Sequence, residues 1–130
     1  MQAENRYVRD GFGSVRPYLY GRLELADFVR SVFGAVELGR YELGDKAFHI
    51  EARIGDSVVV LEVSDPPHPS GKPNSTYVYV EDVDETYQRA LKVGATSVRE
   101  PADQPYEERN AGVLDTFGNT WWIATYTGSH

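Results

Sequence analysis

The sequence contains no cysteine and only one methionine. Disulfide bonds and thiolate chemistry are therefore excluded, and cysteine usage indicates no redox compartment. Long apolar runs are also missing. The start, MQAENRYVRDGFG, lacks the apolar region of a signal peptide, and no later run approaches the length of a membrane span. We therefore expect a cytoplasmic protein with no membrane partner.

Positive charge is scarce as well, with 13 Lys and Arg against 20 Asp and Glu, a net charge of −7 and a pI of about 4.9. A nucleic-acid partner is not expected, because phosphate binding needs a basic stripe. The acidic balance favours a cationic ligand, and it equally favours plain solubility. A length of 130 residues predicts a single domain, 1–130.

Hydrophobic periodicity divides the chain into two similar halves, each predicted as a strand, a helix and three strands. The helices end at Gly34-Ala35 and Gly94-Ala95, sixty positions apart. A proline-rich, exposed linker is expected between them, and a second proline-rich loop is expected within PADQPYEERNAG. The predicted boundaries are module one at 14–64, the linker at 65–74 and module two at 75–126.

Two adjacent tryptophans, Trp121 and Trp122, lie in the last predicted strand. Neighbouring strand side chains point to opposite faces, so one should pack beneath a helix, and we assign Trp122 to the other face. The same alternation predicts a helix-side core of Leu19, Ile50, Ile54, Val78 and Val80. The opposite face then carries Tyr18, Tyr20, His49, Glu51, Arg53, Tyr77 and Tyr79. So many rings on one sheet face favour a ligand, or packing at a dimer interface.

Two βαβββ units in tandem resemble the vicinal-oxygen-chelate superfamily, which includes glyoxalases, bleomycin-resistance proteins and extradiol dioxygenases. HIEARIGDSVVVL at 49–61, YVYVEDVDETYQRALKVGAT at 77–96 and AGVLDTFGNTWWIAT at 111–125 are similar to its PhnB-like branch, although Thr116 replaces the usual proline. The resemblance implies an α+β fold in which a curled mixed sheet forms a cup, with helices outside and the ligand inside. It also implies that Arg109 lies near the cup mouth, where it meets a carboxylate ligand or forms a surface ion pair with Asp103 or Glu108.

Enzymes of this superfamily hold a divalent metal with His or Gln on each unit's first strand and Glu on each unit's last. The corresponding strands here supply only Glu62, so we expect the metal centre to be lost and predict no cofactor. His49 and Glu51 share a face and form either an improvised ligand pair or a structural hydrogen bond.

Two functions follow from these observations. The first is metal-free binding of a small molecule, for example a flat cationic drug, between aromatic walls. The alternative is a divalent-metal lyase or dioxygenase with a rearranged ligand set around His49, Glu51 and Glu62, so enzymatic activity stays open. A homodimer is expected, with the first thirteen residues as an arm across the partner. The predicted ligand-binding residues are Tyr18, Tyr20, His49, Glu51, Arg53, Tyr77, Tyr79, Arg109 and Trp122.

Overall fold

The computed structural model describes residues 6–128. A short 3-10 helix, Arg9–Gly11, precedes two successive βαβββ units, which confirms the predicted order of elements. The first unit comprises β1 (Tyr18–Gly21), α1 (Leu25–Phe33), β2 (Val36–Gly44), β3 (Ala47–Ile54) and β4 (Ser57–Ser64). The second comprises β5 (Ser75–Tyr79), α2 (Val83–Lys92), β6 (Thr96–Gln104), β7 (Glu108–Leu114) and β8 (Thr120–Tyr126). Within the described residues, neither helix has the length and hydropathy needed to cross a membrane.

Each unit forms a four-stranded mixed sheet, in the orders β1-β4-β3-β2 and β5-β8-β7-β6. The pairs β1/β4 and β5/β8 are parallel, and the remaining pairs are antiparallel. Parallel neighbours need a long crossover, and here it runs through the helix and the two following strands. The first strand of each unit is therefore one edge of its sheet, and β2 and β6 are the other edges.

The two helices begin and end where their sequences predict. Gly34 ends α1 in the left-handed region with a φ of 66°, which glycine adopts without steric cost. Asp82 caps the start of α2 by accepting a hydrogen bond from the Glu85 N–H at 3.1 Å. Both helices carry a buried apolar stripe, so both pack against the sheets.

A single core joins the two units. Phe28 and Phe33 of α1 pack against Trp121 of β8, with ring centroids 6.0 and 4.9 Å apart. Arg89 of α2 donates a hydrogen bond to the carbonyl oxygen of Val32 at 2.9 Å. Trp121 is fully buried, so its predicted place beneath a helix is confirmed. The helix-side positions Leu19, Ile50, Ile54, Val78 and Val80 also belong to this core or pack against it.

The prediction of a proline-rich loop after residue 100 is wrong, because β6 continues through Pro101 to Gln104 and β7 starts at Glu108. Pro101 is tolerated for two reasons. It lies on an outer edge strand, and the register with β7 shifts between Arg99 and Ala102. Proline cannot donate to a ladder, so it is found at such edges and bulges. A smaller difference is that β1 begins at Tyr18, four residues after the predicted start of module one at residue 14.

The turn between β7 and β8 is built around the buried carboxylate of Asp115. It accepts hydrogen bonds from the backbone N–H groups of Phe117 at 2.8 Å and Asn119 at 3.0 Å, and from the indole N–H of Trp121 at 2.9 Å. Asn119 in turn accepts from the Asn74 N–H at 2.9 Å through its side-chain oxygen and donates its amide to the Tyr20 carbonyl at 3.4 Å. One turn therefore fixes the core tryptophan and ties the second unit to β1.

We predict that Asp115→Ala lowers the free energy of unfolding by about 3–5 kcal/mol, because several buried donors lose their common acceptor. Urea denaturation of the purified variant measures this loss. Asp45→Ala is the matched control, since Asp45 is exposed in the β2–β3 turn, and it should change stability by less than about 0.5 kcal/mol. Equal losses in the two variants would contradict the role given to Asp115.

Candidate functional site

The face of the two sheets that points away from the helices is called the open face below. Tyr18, Tyr77 and Tyr79 lie on it and are 38, 45 and 62% exposed. Strand β1, which carries Tyr18, lies near the start of β5, which carries the other two tyrosines. The side-chain amide of Asn74, just before β5, donates to the Tyr18 carbonyl oxygen at 3.0 Å. The predicted alternation of faces is therefore correct for these tyrosines.

Two tyrosines of module two donate to one buried carboxylate. The phenol of Tyr79 donates to Glu108 Oε2 at 2.5 Å, and the phenol of Tyr77 donates to Oε1. Glu108 is only 8% exposed, although it is the first residue of β7. Asn110, on the same face, donates to the Tyr77 hydroxyl at 3.3 Å and to the Tyr106 hydroxyl at 3.0 Å. The Glu108 cluster thus joins strands β5 and β7 across β8.

Module one repeats this arrangement with a single phenol. Tyr18 donates to Glu62 Oε1 at 2.6 Å, between the parallel neighbours β1 and β4. The Tyr18 ring also lies beside Tyr20 and His49, with centroids 5.3 and 6.3 Å away. Each module therefore presents an aromatic ring whose hydroxyl proton is directed at a glutamate.

These hydrogen bonds fix the charge of the open face. The bond to Glu62 raises the pKa of Tyr18 to about 12, and the bond to Glu108 raises the pKa of Tyr79 to about 12. Burial and then Glu108 raise the pKa of Tyr77, and the phenol donors lower the pKa of Glu108. At neutral pH the phenols are therefore uncharged, and Glu108 is ionised.

Glu51 serves a different purpose from the two glutamates above. It is 5% exposed, with Oε2 2.5 Å from His49 Nε2 and Oε1 2.6 Å from the Arg16 guanidinium. Burial would raise its pKa, but the hydrogen bonds from His49 and Arg16 outweigh burial, so the pKa lies below its ordinary value. Glu51 is thus an internal anchor for the segment that carries Arg16.

That segment lies against module one of its own chain. Arg16 also donates to the carbonyl oxygens of Phe12 at 2.7 Å and Gly13 at 2.8 Å, and Arg9 donates to the Tyr41 hydroxyl at 2.6 Å. Part of the expected arm therefore contacts its own chain, and its contact with a partner stays a prediction. Residues 1–5 of that prediction lie outside the described residues.

Arg109 is not on the open face. It makes two hydrogen bonds to Asp84 at the start of α2, at 2.8 and 2.9 Å, and one to Asp103 at 3.3 Å. The Asp84 carboxylate raises the pKa of Arg109, and Arg109 lowers the pKa of Asp84. Because β7 begins at Glu108, alternation turns residue 109 towards the helix and away from the open face, and the ligand contact expected for Arg109 stays a prediction. Its surface ion pair with Asp103 is confirmed.

Trp122 lies on the open face, as predicted, but one side of its ring is already covered. The Arg99 guanidinium lies 5.0 Å from the ring centroid, and the indole N–H donates to Ser75 Oγ at 3.2 Å. Gly112 lies against the ring, since a Cβ there would be 2.5 Å from it. Arg53 is half-buried, and its side chain has no hydrogen-bond or ion-pair partner within residues 6–128.

Most of the linker is exposed, as predicted, but part of it folds over Tyr20. The His68 ring lies 5.5 Å from the Tyr20 ring, and Gly71 is so close that a Cβ would come within 2.6 Å of it. Tyr20 is consequently half-buried, unlike Tyr18 two residues earlier. It belongs to a cleft beneath the linker.

The donor atoms present do not fit a divalent metal. No group of three or more His, Cys, Asp or Glu in the described part of the chain could hold an ion. Glu51 is bound by a guanidinium and an imidazole, and Glu62 accepts from Tyr18. A metal at His49, Glu51 and Glu62 would have to displace these donors.

Sequence reasoning missed Glu108, Asn110 and Arg99, which complete the open face of module two. Glu108 and Asn110 lie in the segment where the proline-rich loop was expected, and Arg99 lies just before that segment. The alternation of strand side chains was a signal that could have found two of them. Glu108, Asn110 and Gly112 are two residues apart and therefore share a face, and Gly112 is paired with Trp122 of the open face.

Comparison with known proteins identifies a family model and several relatives that match most of the chain. The model of the Glyoxalase/Bleomycin resistance protein/Dioxygenase superfamily matches residues 24–123. Uncharacterized proteins of Mycobacterium bovis and Mycobacterium tuberculosis are each 38% identical over 106 residues. These matches cover 73% of this chain, 70% of the M. bovis protein and 62% of the M. tuberculosis protein.

Solved structures support the fold. TioX from Micromonospora sp. ML1 has a TM-score of 0.69 at 24% identity, covering 86% of this chain and 95% of that one. A glyoxalase/bleomycin resistance protein/dioxygenase family enzyme from Burkholderia phytofirmans PsJN has a TM-score of 0.66 at 19% identity, with the same coverage. The fosfomycin resistance protein FosX from Listeria monocytogenes has a TM-score of 0.63 at 16% identity, covering 91% of this chain and 94% of that one.

We predict that Tyr18 and Tyr79 ionise near pH 12, well above the ordinary value of 10. Their folded pKa is raised, so the stability they contribute is complete below pH 10 and is lost as the pH rises through 12. Phenolate absorbance during alkaline titration measures the effect. Glu62→Gln should return only Tyr18 towards 10, whereas Glu42→Gln, at an exposed position, should leave both tyrosines unchanged. Ordinary titration of all nine tyrosines would contradict the assignment.

Proposed function

Because this chain belongs to the Glyoxalase/Bleomycin resistance protein/Dioxygenase superfamily, we propose that it binds a small, flat, cationic molecule on its open face without a resident metal. The family description combines resistance proteins with enzymes, so membership alone leaves the class of activity open. We choose binding on one observation, which is that phenols on both modules donate hydrogen bonds to carboxylates. Tyr18 donates to Glu62, and Tyr77 and Tyr79 both donate to Glu108.

This hydrogen-bond pattern determines what the face offers to a ligand. The phenol protons are already donated, so the remaining polar groups of these clusters are oxygen lone pairs and carboxylate charge. The exposed ring faces, especially that of Tyr79, add a surface that attracts cations by their quadrupole. A ligand with N–H donors and a delocalised positive charge complements both features.

Planar cations already stack on rings within this chain. The guanidinium of Arg99 lies 5.0 Å from the centroid of Trp122, and that of Arg9 lies 4.7 Å from the centroid of Tyr41. These contacts support the same mode of stacking for a ligand. Since Arg99 covers Trp122, we assign ligand stacking to Tyr18, Tyr77 and Tyr79.

The geometry favours binding over catalysis. Phenols with a pKa of about 12 stay protonated at neutral pH, so Tyr18 and Tyr79 are poor general bases. The His49 imidazole is hydrogen-bonded to Glu51, and the donor set does not fit a divalent metal. The metal-dependent lyase or dioxygenase therefore receives no specific support.

Three further expectations stay part of the proposal: membership of the PhnB-like branch, a cytoplasmic location and a homodimer. The homodimer is supported by exposed apolar side chains on the two outer edge strands, namely Val36, Tyr41 and Leu43 on β2 and Val98 on β6. Exposed strand edges with apolar side chains favour pairing with another chain. Sedimentation that shows only monomer at micromolar concentration would contradict the homodimer.

We predict that proflavine, a flat cation, binds more tightly than acridone, its neutral tricyclic counterpart. Isothermal titration calorimetry measures both. Glu108→Gln should weaken proflavine binding about tenfold, roughly 1.4 kcal/mol, because the open face loses a negative charge. Tyr79→Ala should weaken it by a similar factor through loss of stacking, whereas Tyr79→Phe, which keeps the ring, should retain most of the affinity.

Glu42→Gln is the matched control for the charge. Glu42 is exposed and paired with Phe48 on the helix-side face, so Glu42→Gln removes one negative charge, as Glu108→Gln does, without touching the open face. Equal affinity for proflavine and acridone would contradict the proposed ligand class. An equal loss of proflavine affinity in Glu42→Gln and Glu108→Gln would contradict it as well. Stoichiometric divalent metal retained by protein purified without chelator would instead favour the enzyme.

A further inference from the structure

A cleft of about 300 Å³ lies between the linker, the end of β1 and the β7–β8 turn. Its rings are Tyr20, His68 and Phe117, and its cationic side chains are Arg22 and Lys72. No residue that lines it is acidic, although the chain has 20 Asp and Glu against 13 Lys and Arg. Positive charge is therefore concentrated at this place in an otherwise acidic protein.

The cations of this cleft are weakly engaged. Arg22 lies 3.6 Å from Asp65, and both side chains are more than half exposed, so this ion pair contributes little. Lys72 has no ion-pair or hydrogen-bond partner among residues 6–128. Neither charge is needed to hold the fold, which leaves both available to an anion.

His68 supplies a ring N–H donor beside these charges. Its Nδ1 accepts a hydrogen bond from the Ser70 N–H at 3.0 Å, which in the neutral ring places the proton on Nε2. The same ring lies 5.5 Å from Tyr20, and Pro67 and Pro73 complete an apolar wall. The cleft therefore combines cationic groups, one directed N–H donor and flat apolar surfaces.

We propose that this cleft is a second binding site, for a small aromatic carboxylate. The ring would stack between Tyr20 and the prolines, and the carboxylate would meet Arg22 and Lys72, because guanidinium and ammonium groups form charge-assisted hydrogen bonds with carboxylates. A volume of about 300 Å³ is at the lower limit for small-molecule sites, so it suits a single ring with one acidic group. The site adjoins the open face but prefers the opposite charge, and it does not rest on the function proposed above.

The experiment compares salicylate with salicylamide, a neutral molecule of nearly the same shape, by calorimetry and by amide chemical-shift mapping of the full chain. Salicylate should bind at least tenfold more tightly and should shift the amide resonances of Gly71 and Lys72. Arg22→Gln and Lys72→Gln should each weaken salicylate about tenfold and leave salicylamide unchanged. Lys92→Gln, at the exposed end of α2, is the matched control and should bind salicylate normally.

A variant that keeps both cations tests the geometry separately. In Gly71→Ala the new Cβ would come within 2.6 Å of the Tyr20 ring and push the linker away, so salicylate affinity should fall. Gly44→Ala, where a Cβ meets nothing within 4 Å, should leave it unchanged.

Equal affinity for salicylate and salicylamide, unchanged binding in Arg22→Gln and Lys72→Gln, or shifts confined to the Glu108 cluster would each overturn the second site. Glu108→Gln should leave salicylate binding intact, and Lys72→Gln should leave proflavine binding intact. Failure of one site is thereby distinguishable from failure of the other.

Discussion

The structure depends on the buried carboxylate of Asp115. It gathers the N–H groups of its own turn and the indole N–H of Trp121, so a single side chain both closes the β7–β8 turn and orients the largest residue of the core. Asn119 extends this network to Tyr20 and Asn74. Because buried donors are costly to leave unpaired, the two units are held in one relative position by hydrogen bonds as well as by apolar contact.

The sequence was sufficient for much of the fold, because the determining signals are local. Apolar side chains at helical spacing and the glycines that follow each helix predicted both βαβββ units. The alternation of side chains along a strand predicted the opposite faces of Trp121 and Trp122. The second half of β6 escaped prediction, because Pro101 normally breaks a strand and is tolerated only at an edge with a register shift. The same error hid the position of Glu108 on the open face.

The candidate site was less accessible from sequence than the fold, since its chemistry depends on pairs that lie far apart in the chain. Tyr18 and Glu62 are 44 residues apart, and Tyr79 and Glu108 are 29 apart. Alternation identifies which tyrosines share a face, but it does not reveal that their protons are directed at carboxylates. Likewise, no local pattern indicates that Gly71 lets the linker lie on Tyr20, or that Arg16 holds Glu51.

These pairings also explain why a face rich in acids does not make a metal site. Metal ligands must converge on one ion, yet no three His, Asp or Glu side chains among residues 6–128 do so, and Glu51, Glu62 and Glu108 are instead held apart by a guanidinium, an imidazole or phenols. Hydrogen bonds to ionised groups contribute roughly 1.5–3 kcal/mol each, so displacing several of them would offset part of the affinity of an ion. The phenols of Tyr77 and Tyr79 lower the pKa of Glu108 without neutralising its charge, because a phenol shares a proton and carries no positive charge. What remains on the open face is negative charge framed by aromatic rings, an arrangement that suits an organic cation better than a divalent metal.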